Sequence, residues 1–183
     1  ISVRLVGSEM CIRDSCEPSH LDFFKRTPDL KKLILDQDAI FVGGGNTKSM
    51  LAIWRDWGLD KILKKAYLNG VVMSGVSAGA ICWFQQGITD SWASDLKMMP
   101  CLNFVRGTCC PHYDEEPGRK PAVKKFLSKG KVKNIFAVDG GVAFHVKNET
   151  NFRSIVFRKD KSSYKVSLEN KTLIEKSFKK TII

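Results

Sequence analysis

No stretch of the chain approaches the roughly 20 consecutive apolar residues that a bilayer-spanning helix needs, and no ordered basic, apolar and small-residue regions mark a secretory signal. The expectation is a cytoplasmic protein with no membrane partner. Histidine is scarce: His20, His112 and His145 are the only three. The six cysteines lack zinc-site spacing, because Cys109 and Cys110 are adjacent and no fourth ligand joins them and His112, so no metal is expected. Cys82 falls within a helical run, which favours reduced thiols over a disulfide framework. Neither a Walker lysine nor a Gly-x-Gly-x-x-Gly loop is present, which excludes the common nucleotide cradles. Acidic residues run short only at one end. Residues 1–119 hold 14 Lys plus Arg against 14 Asp plus Glu, while residues 120–183 hold 16 against 5, so the net charge of +11 is C-terminal. Those lysines are scattered through alternating strand-like segments without aromatic interleaving, the pattern of a solvated face and not of a nucleic-acid binder.

What is present suits one globular domain: 183 residues, 43% hydrophobic and 27% charged. Residues 1–15 have neither helical nor strand periodicity and read as non-native, adapter-like translation, which leaves 16–183 as the domain. His20 to Phe24 suggests a short strand, and Asp29 to Leu35 a short helix. Ala39 to Val42 is an apolar run broken by Gly43-Gly44-Gly45-Asn46, as in a buried parallel strand entering a tight loop. Met50, Leu51, Trp54, Leu59, Ile62, Leu63 and Tyr67 recur at helical spacing, with an interruption near Gly58 and a stop at Gly70. A strand over 71–74 and a helix from Ala78 to about Phe84 follow. Tandem strand-loop-helix units imply a parallel sheet. Further along, a helix over Ala122 to Lys129 precedes strands at 135–138 and 142–146, and the segments 154–158 and 164–168 alternate as closing antiparallel strands.

Between the strand at 71–74 and its helix lies Gly75-Val76-Ser77-Ala78-Gly79, the Gly-x-Ser-x-Gly pattern that exposes a serine on a strained turn. A serine hydroxyl needs a base to take its proton and a carboxylate to hold that base. His20 precedes the sheet loops and His145 falls inside a strand, leaving His112 as base. Asp139 follows a buried strand and precedes two glycines, which makes it the expected orienting acid; Asp114 and Glu115 compete but lie close to His112 in sequence. Backbone amides of Gly44, Gly45 and Ala78 are the expected oxyanion donors. Ligands of open parallel sheets bind beyond the carboxyl ends of the strands, where all these loops belong.

The segments 41–47, 75–84, Ile88-Thr89-Asp90-Ser91, Cys110-Pro111-His112-Tyr113-Asp114 and 139–145, in this order and spacing, resemble the peptidase E family of serine peptidases over roughly Cys16 to Val146. The resemblance implies an α/β three-layer sandwich with a mostly parallel sheet, like the class I glutamine amidotransferases with serine replacing their cysteine. It implies Ser77 as nucleophile, His112 as base and Asp139 as third member. Asp90 matches a family aspartate near the site, Asn46 completes the glycine loop, and Arg119 is the expected holder of a substrate carboxylate. The implied activity is removal of an N-terminal aspartate from dipeptides and short peptides, with no cofactor, a small peptide as partner and a homodimer as the assembly to test. A cyanophycinase-like hydrolase of aspartate-arginine polymer is the second enzymatic reading. A basic binding module with a vestigial site is the third. Relatives carry about two further strand-helix units before the position of Cys16, so the chain alone is expected to be poorly soluble or inactive.

Overall fold

The computed structural model describes residues 16–183, so the reading of residues 1–15 as foreign lies outside the described residues. Helix α1 (Leu30–Leu35) starts where the Asp29 carboxylate accepts hydrogen bonds from the Lys31 and Lys32 amides. Strand β1 (Ala39–Val42) leads through the glycine loop to α2 (Thr47–Asp56), capped by Asn46, whose side chain accepts from the Ser49 amide. Gly58, at φ 67°, breaks α2 from α3 (Leu59–Leu68), the interruption expected there. Leu51, Trp54, Leu59, Leu63 and Ala66 form the buried stripe of the two helices. Strand β2 (Val72–Gly75) pairs in parallel with β1, Val42 opposite Gly75.

After β2 come α4 (Ala78–Ile81), β3 (Phe84–Thr89), β4 (Lys97–Pro100), β5 (Val105–Cys110), α5 (Arg119–Ser128), β6 (Ile135–Val138), β7 (Val142–Lys147), β8 (Asn151–Val156), β9 (Ser163–Glu169), β10 (Thr172–Ser177) and β11 (Lys179–Ile182). Pro121 sits in the first turn of α5, where its missing N–H costs nothing. A six-stranded sheet runs in the order β10-β9-β6-β5-β3-β4. Its centre, β3, β5 and β6, is parallel, while β4, β9 and β10 join antiparallel. Two smaller sheets, the parallel pair β1-β2 and the three-stranded β11-β8-β7, are separate from it.

Alternation across the central strands divides the core. On β5 and β6, Cys110, Ile135 and Ala137 pack in the cluster with Val123, Phe126 and Leu127 of α5, and Cys109 and Phe136 face the other way with Ile81, Phe84, Phe144 and Phe152. The sheet is therefore covered by a helix on one face and by α4 and the three-stranded sheet on the other. Trp83 and Phe104 join the cluster of α1, α2 and α3. Cys109 and Cys110, adjacent on β5, thus point to opposite faces of the sheet.

Several elements depart from the sequence reading. The expected strand at His20 to Phe24 does not form; the Asp22 carboxylate captures the Phe24 amide at 2.8 Å, fixing a turn. The helix expected to reach Phe84 ends at Ile81. Carbonyls of Cys82, Trp83 and Phe84 accept instead from Leu102, Phe104, Val105 and Asn103, distant residues that turn the chain into β3. Strand β1 is not buried on both faces, since Phe41 is 69% exposed, and on β2 Val72, opposite Ala39, is 61% exposed.

Candidate active site

Five loops leave the carboxyl ends of β1, β2, β3, β5 and β6, and hydrogen bonds tie neighbouring loops together. The Asn46 amide nitrogen donates to the Ser91 carbonyl at 2.6 Å, and the Thr47 N–H to Ser91 Oγ at 2.9 Å, joining the loops after β1 and β3. The Tyr113 amide donates to the Val138 carbonyl at 3.0 Å, and the Gly140 amide to Asp114 Oδ1 at 2.8 Å, joining the loops after β5 and β6.

Ser77 occupies φ 54°, ψ −115°, a backbone region that L-residues rarely adopt and that surrounding structure must enforce. The enforcement is visible in the flanking glycines. A Cβ on Gly75 would lie 2.6 Å from the Gly79 carbonyl carbon and 2.7 Å from the Val42 oxygen; one on Gly79 would lie 2.7 Å from the Gly43 oxygen. Only glycine at both positions lets α4 sit directly on the end of β1. The same closeness brings Gly44 to the serine, for a Cβ there would be 3.4 Å from Ser77 Cβ. Among the described residues, the amides of Gly44, Gly45 and Ala78 donate to no protein acceptor.

His112 also has a positive φ, 54°, at the start of a tight turn in which the Glu115 amide donates to the His112 carbonyl at 3.3 Å. That turn puts the Glu115 carboxylate on the imidazole, Oε2 to Nδ1 at 2.9 Å. Among the described residues, no hydrogen bond joins Ser77 Oγ to the His112 ring. Asp139 is 6% exposed, and its Oδ2 accepts from the Ser162 amide at 3.0 Å and the Tyr164 hydroxyl at 3.1 Å. Burial raises the Asp139 pKa, with the Asp114 charge adding to the rise, and Tyr164 is pushed up to about 12 by its own burial and by Asp139. Burial alone would raise Asp114 too, but hydrogen bonds from Lys161 and the Gly140 amide outweigh it and bring that carboxyl below its ordinary range.

Arg119 is 4% exposed, and its fork is engaged: Nε and Nη2 donate to Glu116 at 2.7 Å, Nη1 to the Ile88 carbonyl at 3.0 Å. Asp90 is exposed on the loop beyond β3. Ser162, Tyr164 and Lys161, which surround Asp139 and Asp114, escaped sequence reasoning, since nothing local distinguishes them from other strand and turn residues. Glu115 had a signal, its i,i+3 spacing from His112, which matters only once the turn is known. Among the described residues, no helix is long and apolar enough to cross a membrane.

The profile of peptidase family S51 matches residues 10–154. The chain is 43% identical over 161 residues to the Bacillus subtilis (strain 168) protein named uncharacterized peptidase YgaJ, covering 87% of this chain and 70% of that one. It is also similar to a crystal structure of a Listeria monocytogenes EGD-e protein assigned as a peptidase E, with 19% identity and a TM-score of 0.48, covering 82% of this chain. The chain spans 64% of that protein's length. By the family profile and the Bacillus relative together, this chain belongs to peptidase family S51, the peptidase E family.

Proposed function

We propose that the chain carries the site of a cytoplasmic serine peptidase that hydrolyses short peptides, dipeptides with N-terminal aspartate foremost. The observation that carries the reading is the strained Ser77 backbone, wedged between two glycines whose Cβ positions are filled by neighbouring backbone. Ser77 Oγ attacks the scissile carbonyl carbon while the His112 Nε2 lone pair takes the hydroxyl proton. The carbonyl oxygen becomes an oxyanion held by the amides of Gly44, Gly45 and Ala78. Collapse breaks the C–N bond, the imidazolium returns its proton to the leaving amine, and water repeats the cycle on the acyl-enzyme. A carboxylate behind the ring keeps the proton on Nδ1, from Asp139 by the family pattern or from Glu115 by contact. Asn46 and Asp90 flank the peptide on the rim. The substrate's acidic side chain needs a cation, and Arg119 serves as one by giving up its bonds to the Glu116 carboxylate or the Ile88 carbonyl.

The test is turnover of Asp-containing dipeptides and of aspartate-arginine polymer by the wild-type chain and by Ser77→Ala. Dipeptide hydrolysis lost by about 10⁴-fold or more in the variant is the expected result. Polymer cleavage alone would favour the cyanophycinase-like reading. Turnover unchanged in Ser77→Ala would end the serine mechanism.

A further inference from the structure

We propose that a cationic groove between α5 and the β3–β4 edge of the six-stranded sheet binds an acidic peptide segment, a role independent of the peptidase reading above. Two adjoining depressions of about 490 and 310 Å³, the size of small-ligand sites, share Gln86 and Lys131. The larger starts at Trp92, next to the Ser91 that is tied to the glycine loop, and the smaller ends at Lys133 and Asn134, before the amino end of β6. Together they form one channel along the sheet. Among the described residues, no Asp or Glu lines it.

Its chemistry starts from an irregularity between β3 and β5. Phe84 pairs with Val105 but Gln86 with Thr108, so β5 carries one extra residue, and Gly107 at φ 112° takes up the bulge. The Gly107 amide donates to Gln85 Oε1 at 3.3 Å, and the Thr108 hydroxyl to Gln86 Oε1 at 2.9 Å. With both oxygens engaged, each side chain keeps its two N–H donors for the groove. Ammonium groups add charge. The chain from Arg119 to Lys133 holds seven Lys and Arg and no Asp or Glu. Arg119, Lys120 and Lys125 pair with Glu116, Glu175 and Asp95, and Lys97 also pairs with Asp95, at 2.9 Å. Among the described residues, Lys131 and Lys133 form no salt bridge, and both are exposed on either side of Val132, which packs into the α5 cluster.

The walls select a peptide bearing carboxylates over other polyanions. A phosphate dianion concentrates its charge beside the carbonyl end of α5, the negative pole of the helix dipole, whereas carboxylates spread along a chain meet the ammonium groups one at a time. Single-stranded nucleic acid needs open aromatic faces. Trp92 has the Lys48 ammonium over its ring, 5.2 Å from the centroid. Met98 and Phe126 supply an apolar wall, and the Gln85, Gln86 and Asn134 amides suit the polar groups of a peptide backbone.

The experiment uses the full chain carrying Ser77→Ala, so that the probe stays intact, and reads fluorescence anisotropy of a labelled, N-acetylated decaglutamate. Two double variants are compared. Lys131→Gln with Lys133→Gln empties the groove of its unpaired charge, while Lys165→Gln with Lys176→Gln removes the same charge from the β9–β10 pair at the far edge of the sheet. The groove double is expected to weaken binding about tenfold or more, and the far double less than about threefold. Equal weakening in the two doubles overturns the inference, because it reports only the net charge of +11. So does an absence of decaglutamate binding, equal binding of decaglutamine, or tighter binding of inorganic polyphosphate or oligothymidylate that depends on Lys131 and Lys133.

Discussion

Replacing Gly79 by alanine tests the strained turn at Ser77 with the least chemical disturbance, since one methyl group is added and no charge or hydrogen-bonding group is removed. The new Cβ would lie 2.5 Å from the Val42 carbonyl carbon and 2.7 Å from the Gly43 oxygen. Both are backbone atoms, and Val42 is held by the parallel pairing with Gly75 and by the Val76 amide, which donates to its carbonyl at 3.0 Å. No side chain can rotate away, so α4 must retreat by about 1 Å to restore ordinary contact. Overpacking of this kind costs about 1–3 kcal/mol. A displacement of about 1 Å between nucleophile and oxyanion donors costs about 10² in turnover. The assay pairs urea denaturation with steady-state hydrolysis of an Asp-containing dipeptide. Gly118→Ala is the control, because Gly118 has φ −73° and its Cβ would meet only Leu96 Cδ1 at an ordinary 3.7 Å. Wild-type stability and turnover in Gly79→Ala would refute the argument that close backbone approach sets the serine in place.

Ser77→Gly relieves the positive φ and is expected to gain about 1 kcal/mol in urea denaturation while losing turnover, a trade between strain and activity. Arg119→Ala is expected to lose about 2–4 kcal/mol in the same measurement, because the Ile88 carbonyl is left unpaired and the buried stem leaves a void. A carboxylate-binding role alone would raise KM and leave stability intact. Asp139 titrates above its ordinary 3.8 in the fold, so the native state binds more protons than the unfolded chain between that value and the raised one, and its contribution to stability falls as pH rises through the window. Asp139→Asn should flatten that fall in stability-versus-pH curves; an unchanged slope would show that Asp139 is not its source.

Much of the frame was legible along the chain because its signals are local. The apolar run of β1 ending in three glycines, the helical spacing broken at Gly58, and the glycines flanking Ser77 each report a constraint set by residues a few positions apart. The strand at His20 to Phe24 failed for a local reason too, since Asp22 offers the backbone a turn that hydrophobic pattern does not register. The end of α4 was not legible, for the chain leaves the helix to satisfy amides some twenty residues downstream. Nor was the burial of Arg119, which the spacing to Glu116 allows but only the Ile88 carbonyl makes necessary.

The glycines at fixed offsets around Ser77 and the scarcity of histidine, with only three to choose from, by themselves pointed to the reaction proposed for the chain and to the residues proposed to carry it. Which carboxylate touches that base was decided by the tertiary structure alone. Glu115 and Asp139 are equally acidic as letters, but one is swung onto the ring by a reversal at His112 and given room by Gly140, while the other is drawn away by Tyr164 and a backbone amide from β9's approach. Hydrogen-bond partners brought from distant segments settle such choices, and they exist only once the chain has folded.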